Sequence, residues 1–252
     1  MIKQGVLENP KPDAIFGLHV LARLETGKIA YRPGPMMASV DTLKIIVRGQ
    51  QAHGAMPWQG VDPIVVASQI ILALQTIESR QVNVMKEPSI ISIGSIHGGV
   101  RFNIIPETVE MVGTIRAFDE EMRNDIHRRI TTTAEMIAKS AGAQAEVTIE
   151  KIGPVTINPA DLTEQMASTL IRVAGADNAL VGEKITASED FSYYQQRIPG
   201  FFFFIGITPP GTDVNTADPN HSPRFYVDES GLLLGVRALA HLTVAYMEKK
   251  EH

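Results

Sequence analysis

The run "FFFFIGI" at residues 201–207 is apolar at every position. Successive side chains of a strand point to opposite faces, so a strand with one wet face alternates apolar and polar residues. A strand without alternation is buried on both faces, as in an α/β sheet covered by helices on either side. The flanking sequence fits that layer. "PADLTEQMASTLIRVAG" (159–175) reads as a helix and "SEDFSYYQQRIPG" (188–200) as a loop. "TPPGTDVNTADPNHSPRF" (208–225) reads as a loop, and "DESGLLLGVRALAHLTVAYMEKK" (228–250) as a closing helix. At the other end of the chain, "DAIFGLHV" (13–20) is a short apolar strand after the turn "ENPKP", and "GKIAYRPGPMMAS" (27–39) is a Gly- and Pro-bearing connector.

Between these pieces the pattern is regular. "VDTLKIIVRG" (40–49), "PSIISIGSIHGG" (88–99), "ETVEMVGTIRAF" (107–118) and "AQAEVTIEKI" (143–152) read as strands. "VDPIVVASQIILALQTIESR" (61–80) reads as a helix, with Asp62 as N-cap and Pro63 at its first position. "DEEMRNDIHRRITTTAEMIAKSAG" (119–142) is an amphipathic helix, acidic in its first turn and closed by Gly142. The order β-α-β-β-α-β is the ferredoxin-like plan, a four-stranded antiparallel sheet with two helices on one face. The expected fold class is therefore α/β and α+β. A compact inserted domain, residues 38–152, interrupts an α/β layer made of residues 1–37 and 153–252.

The chain has 252 residues, 44% hydrophobic and 20% charged, and a net charge of -5. Such a mildly acidic balance argues against a broad nucleic-acid surface. The absence of cysteine excludes disulfides, thiolate metal sites and cysteine nucleophiles, and fits a cytoplasmic protein. No apolar run reaches membrane-spanning length on this reading, and "MIKQGVLENPKPD" (1–13) lacks the apolar core of a signal peptide. Neither a membrane nor a nucleic acid is an expected partner.

No G-x-S-x-G, S-x-x-K, G-x-x-x-x-G-K-[ST], G-x-G-x-x-G or H-E-x-x-H occurs, which leaves serine hydrolysis and nucleotide binding unsupported. Seven histidines remain to be placed. His252 reads as a frayed terminus, His127 as the exposed face of a helix, His241 as a half-buried packing residue, and His97 as a turn residue. His19 ends an apolar strand, where ligands of α/β sheets gather. His53 lies in the loop "RGQQAHGAMPWQGVDP" (48–63), and His221 in "ADPNHSPRF" (217–225). Taken alone, each of these three reads as a solvated or structural histidine. Separated imidazoles on loops and strand ends are also compatible with an open metal site. Arg116, in a mostly apolar strand, needs a partner, which is either a salt bridge or a substrate carboxylate. Asn103, in "GGVRFNIIP" (98–106), is a turn residue on its own.

Together these segments resemble the metal-dependent amidohydrolases that include hippurate hydrolase, N-acyl-amino-acid deacylases and plant auxin-conjugate hydrolases. The matching stretches are "MIKQGVLENPKPDAIFGLHV", "GQQAHGAMPWQGVDPIVVASQIILALQTIESR", "GGVRFNIIPETVEMVGTIRAF", "ASEDFSYY" and "NHSPRF", in family order. The resemblance implies a partial αβα zinc-peptidase-like catalytic layer, binding two metal ions, with an inserted lid and dimerisation domain. It implies His19 and His221 as metal ligands, and His53 as the lid histidine that polarises the scissile carbonyl in the partner subunit's site. Asn103 and Arg116 match residues that contact the substrate. The implied cofactor is zinc or manganese. The implied reaction is amide hydrolysis of N-acyl amino acids or small peptide-like substrates, with ester hydrolysis as a side activity. The implied assembly is a homodimer or higher homo-oligomer. The family places a Cys-x-His pair, paired glutamates and the general base ahead of the counterpart of Met1. The expectation is therefore a truncated hydrolase, with a non-catalytic dimerisation module as the alternative. Further ligands would have to come from residues with a different role in that family, such as Glu189 or Asp190, or from another chain.

Overall fold

The computed structural model describes residues 1–250, without the side chain of Lys250; His252 lies outside them. In chain order the elements are β1 (Ile15–Glu25), β2 (Ile29–Tyr31), β3 (Gly34–Met37), β4 (Val40–Arg48), β5 (Ala52–His53), α1 (Pro63–Arg80), β6 (Ser89–Gly98), β7 (Ile104–Ile105), β8 (Thr108–Ala117) and α2 (Glu120–Ser140). They continue with β9 (Gln144–Gly153), β10 (Thr156–Asn158), α3 (Ala160–Ala174), β11 (Ala179–Val181), α4 (Ser192–Gln195), β12 (Gly200–Thr208) and α5 (Leu232–Lys250). The chain divides into two compact units. The first holds Met1–Met37, Thr156–Ile185 and the chain from Glu189 onward; the second holds Ala38–Val155 and Thr186–Ser188. Both the α/β and the α+β character are present.

The second unit is an antiparallel sheet in the order β6-β8-β4-β9. Along β4, Leu43, Ile45 and Val47 point inward and are fully buried, while Thr42 and Lys44 face water. Their inward faces meet Met111 and Ile115 of β8, Val66, Ile70 and Leu74 of α1, and Ile126 and Ile130 of α2 in one core. Local chemistry starts both helices. Asp62 accepts the Ile64 amide at 2.9 Å ahead of α1, and Asp119 accepts the Met122 amide at 2.8 Å ahead of α2. Thr156 pairs with Met37, which keeps β10 in the first unit. Thr186–Ser188 joins the second: the Ala38 amide donates to the Ala187 carbonyl at 3.0 Å.

The Asp41 carboxylate continues the inward register of β4 and is fully buried. It accepts from the Arg123 Nε and Nη2 and from His127 Nε2 at 2.7 Å. Arg123 also donates to the Val40 and Gly153 carbonyls and to Glu120. His127 is thus largely buried and hydrogen-bonded to Asp41 rather than on an exposed face. A buried carboxylate inside the sheet needed charged partners, and the α2 face over it supplies them.

The first unit is a mixed sheet in the order β1-β12-β2-β11. Every residue of β12 is buried. Phe201, Phe203 and Ile205 face Leu162, Met166 and Leu170 of α3 and Ala238 and Leu242 of α5. Phe202 and Phe204 face Leu24, Met36, Met37 and Phe191 on the other side. At Gly206 a Cβ would stand 1.9 Å from the Glu25 carbonyl oxygen, so only glycine lets β1 and β12 meet there. β1 lies at the sheet edge, paired with β12 alone, and is only half-buried from Ile15 to Leu21.

Four further expectations are corrected. The connector 27–39 carries β2 and β3, and the loop 188–200 carries α4. Glu229–Lys249 is long and apolar enough to cross a membrane by length and composition, with a mean hydropathy of 1.3. It is partly a core helix: Ala238, Leu242 and Ala245 are buried, while Leu233, Val236, Val244 and Met247 face outward. His241 is exposed on α5 rather than half-buried.

Candidate active site

In the first unit, β1 carries His19 and the loop after β12 carries His221. The His19 ring donates from Nδ1 to the Val20 carbonyl at 2.7 Å, because a carbonyl can only accept. In the neutral ring that leaves the lone pair on Nε2, the form in which imidazole binds a metal. Its ring lies edge-on to Phe204, with centroids 6.3 Å apart. His221 is exposed and has φ 72°, the one positive φ among the described non-glycine residues. That conformation costs on the order of 1 kcal/mol and persists only where the surroundings impose it. The preceding Asn220 side chain is bonded to β1: Oδ1 accepts the Ala22 amide at 3.2 Å, and Nδ2 donates to the Val20 carbonyl at 3.0 Å. His19 and the anchor of His221 therefore share one carbonyl oxygen.

Glu189 follows in the same unit. Burial pushes its carboxyl up, the adjoining Asp190 adds to this, and His19 partly offsets it. Glu189 Oε1 accepts the Asp190 amide at 3.0 Å. Among the described residues no three His, Asp or Glu side chains converge as a metal site. The donor chemistry of His19 and His221 thus fits two ligands of a divalent ion, and Glu189 and Asp190 do not complete the set.

The second unit carries the other three candidates. β5 pairs with β7, placing His53 opposite Ile104. The Gly54 amide donates to the Asn103 carbonyl at 2.8 Å, so His53 and Asn103 are brought together. The His53 ring has the opposite tautomer to His19. Its Nδ1 accepts the Ala55 amide at 3.0 Å, which leaves the proton on Nε2 as an outward donor. Both His53 and Asn103 are exposed.

Arg116 is not with them. It lies eight residues along β8 from Thr108, a run of about 27 Å. Its guanidinium is half-buried and donates to the Ser188 hydroxyl at 3.4 Å, without an ion-paired carboxylate among the described residues. Burial lowers its pKa, with Asp41 opposing. This leaves a half-buried cation able to take an anionic ligand. The residues that sequence reasoning missed are Asn220, which anchors His221, and Ser188, which holds Arg116. An asparagine beside a Pro-flanked histidine signals a turn and nothing more.

Residues 1–245 match the sequence model of Peptidase family M20/M25/M40. The chain is 37% identical to Thermostable carboxypeptidase 2 of Saccharolobus solfataricus, over 99% of this chain and 62% of that protein. It is 38% identical to N-acetyl-L-cysteine deacetylase of Bacillus subtilis, over 92% of this chain and 53% of that protein. Among solved structures, a Bacillus subtilis protein described as a dinuclear metal binding peptidase from M20 family superposes with a TM-score of 0.78 at 31% identity. That match covers 98% of this chain and 60% of the other. The chain thus spans less than two-thirds of the length of these relatives. With a match over nearly its whole length, it belongs to Peptidase family M20/M25/M40.

Proposed function

We propose that this chain is the histidine-bearing part of a metal-dependent hydrolase that cleaves amide bonds of N-acyl amino acids or small peptide-like substrates. The observation that carries this reading is the opposite tautomers of His19 and His53. One ring offers a lone pair to a cation and the other an N–H to an oxygen. Amide hydrolysis needs both, an ion to activate water and a donor for the developing oxyanion. A divalent ion, when bound, acidifies a water and polarises the carbonyl. His19 and His221 act as two of its ligands, and the identity of the ion, zinc or manganese, belongs to the test. His53 Nε2 donates to the scissile carbonyl oxygen, with Asn103 beside it. Arg116 takes the substrate carboxylate through its planar fork. The names of the two relatives, a carboxypeptidase and an N-acetyl-L-cysteine deacetylase, support a substrate with a free carboxylate and an amide.

Arg116 stands a strand run of about 27 Å from Thr108, the end of β8 that follows the His53–Asn103 pair in the chain, and this run exceeds a small acyl amino acid. One copy cannot use both groups on one substrate. A homodimer in which one copy supplies His53 and Asn103 and the other Arg116 resolves this. A cytoplasmic location accords with the absence of cysteine.

A second reading, a non-catalytic dimerisation module, is favoured by the lack of a third converging ligand among the described residues. Assay of N-acetylmethionine hydrolysis with zinc or manganese separates the two. The hydrolase reading expects turnover that is lost on chelation and in His221→Ala, and lowered about a hundredfold or more in His53→Ala. His53→Ala and Arg116→Ala chains, mixed, should recover part of the lost activity, because one of the two sites in a mixed dimer is intact. Turnover that survives chelation and His221→Ala sinks the hydrolase reading, and a metal-free dimer without turnover supports the module.

A further inference from the structure

We infer that Asn220 is the positioning residue that presents His221 beside His19. The inference rests on reading those two histidines as metal ligands. In a parallel sheet, one residue of the incoming strand donates its N–H to the carbonyl of residue i and accepts the N–H of residue i+2. The Asn220 amide does the same on the open edge of β1. Nδ2 donates to the Val20 carbonyl at 3.0 Å, and Oδ1 accepts the Ala22 amide at 3.2 Å. A single side chain thus imitates one residue of a neighbouring strand. It fixes the next residue in the chain, His221, against β1 although about two hundred positions separate them.

Two further observations converge on the same point. Val20 already accepts His19 Nδ1 at 2.7 Å, so its carbonyl carries two donors on its two lone pairs. The Asn220 anchor is therefore registered to the bond that sets the His19 tautomer. And His221 is held at φ 72°, a conformation that an unanchored histidine leaves readily. Groups that orient a metal-binding histidine commonly change metal affinity ten- to a hundredfold when removed. Asn220 touches neither the ion nor the substrate in this role. It acts through the backbone it pins.

Zinc titration of the full chain, with nitrogen-15 NMR of the His221 amide and the His19 ring, tests the inference. Asn220→Ala is expected to weaken zinc binding about ten- to a hundredfold and to remove the positive-φ signature of His221. The thermal midpoint and the resonances of the second unit should stay in place. Asn220→Asp keeps the size but sets an oxygen against the Val20 oxygen, so it should behave like the alanine variant. Wild-type zinc affinity and an unchanged His221 signature in Asn220→Ala would overturn the inference. If His19→Ala and His221→Ala still lost zinc, the ligand reading would stand without it. Zinc binding indifferent to both histidines, or no zinc uptake by the wild-type chain, would overturn the ligand reading and the inference together.

Discussion

The two units solve the same burial problem to different extents. The sheet β6-β8-β4-β9 finds both covering helices within one continuous stretch, and its core is complete in Ala38–Val155. The sheet β1-β12-β2-β11 gathers strands from both ends of the chain, leaves β1 at an edge, and turns Leu233, Val236, Val244 and Met247 of α5 outward. An edge strand and an exposed apolar helix face are places where a further chain segment or a second copy can add. The candidate metal ligands His19 and His221 stand in the open unit, on that edge strand and on the loop that clasps it. The residues that would meet a substrate stand in the closed one.

The sharpest way to break this comparison is to attack the closed unit at its charge cluster. Asp41→Ala leaves Arg123 buried without its carboxylate and should cost about 3–5 kcal/mol. Hydrogen exchange should localise the loss to β4, β9 and α2; loss spread evenly over both units would show that the second unit is not self-sufficient. The pH dependence of the same group follows. The Asp41 pKa is lowered by its hydrogen bonds to His127 and Arg123 and by their charges, which together outweigh a raising contribution from burial that is the largest single one. A depressed carboxylate stabilises the fold fully above its unfolded pKa, near 3.9, and this is lost as pH falls through the folded value. Unfolding of the second unit should therefore ease steadily in acid, and Asp41→Asn should flatten that slope. The smallest effect is expected at the open unit. Val236→Asp should change stability by no more than about 0.5 kcal/mol while lowering self-association in sedimentation. Unchanged association would remove the α5 face from any interface.

What could be read in the sequence follows the same division. The strands and helices of 40–152 are long enough to show their period, and the cap at Asp62 and the acidic first turn of 119–142 mark where the helices start. β2, β3, β10 and β11 are three or four residues long, with Pro33 and Pro35 and Gly34 among them, so no period can show. The misplacement of His127 had a visible remedy: Asp41 shares the odd register of Leu43, Ile45 and Val47, and an inward carboxylate demands a cation. At the site, His19 and His221 could be joined only by resemblance. Spacing says nothing of the Asn220 bonds to β1 across two hundred residues. The tautomers of His19 and His53 depend on the Val20 carbonyl and the Ala55 amide, groups that every sequence possesses and only a fold aims.

Thr186–Ser188 carries a consequence for anyone who would move the second unit elsewhere. Because this three-residue strap belongs with Ala38–Val155, the chain passes between the units four times rather than twice. Lifting out residues 38–155 as a cassette would strip the Ala38 amide of its Ala187 acceptor and Arg116 of its Ser188 hydroxyl. The inserted unit is contiguous in its core but stitched at Arg116, so a transplant would keep the core and lose the hydroxyl that holds the arginine.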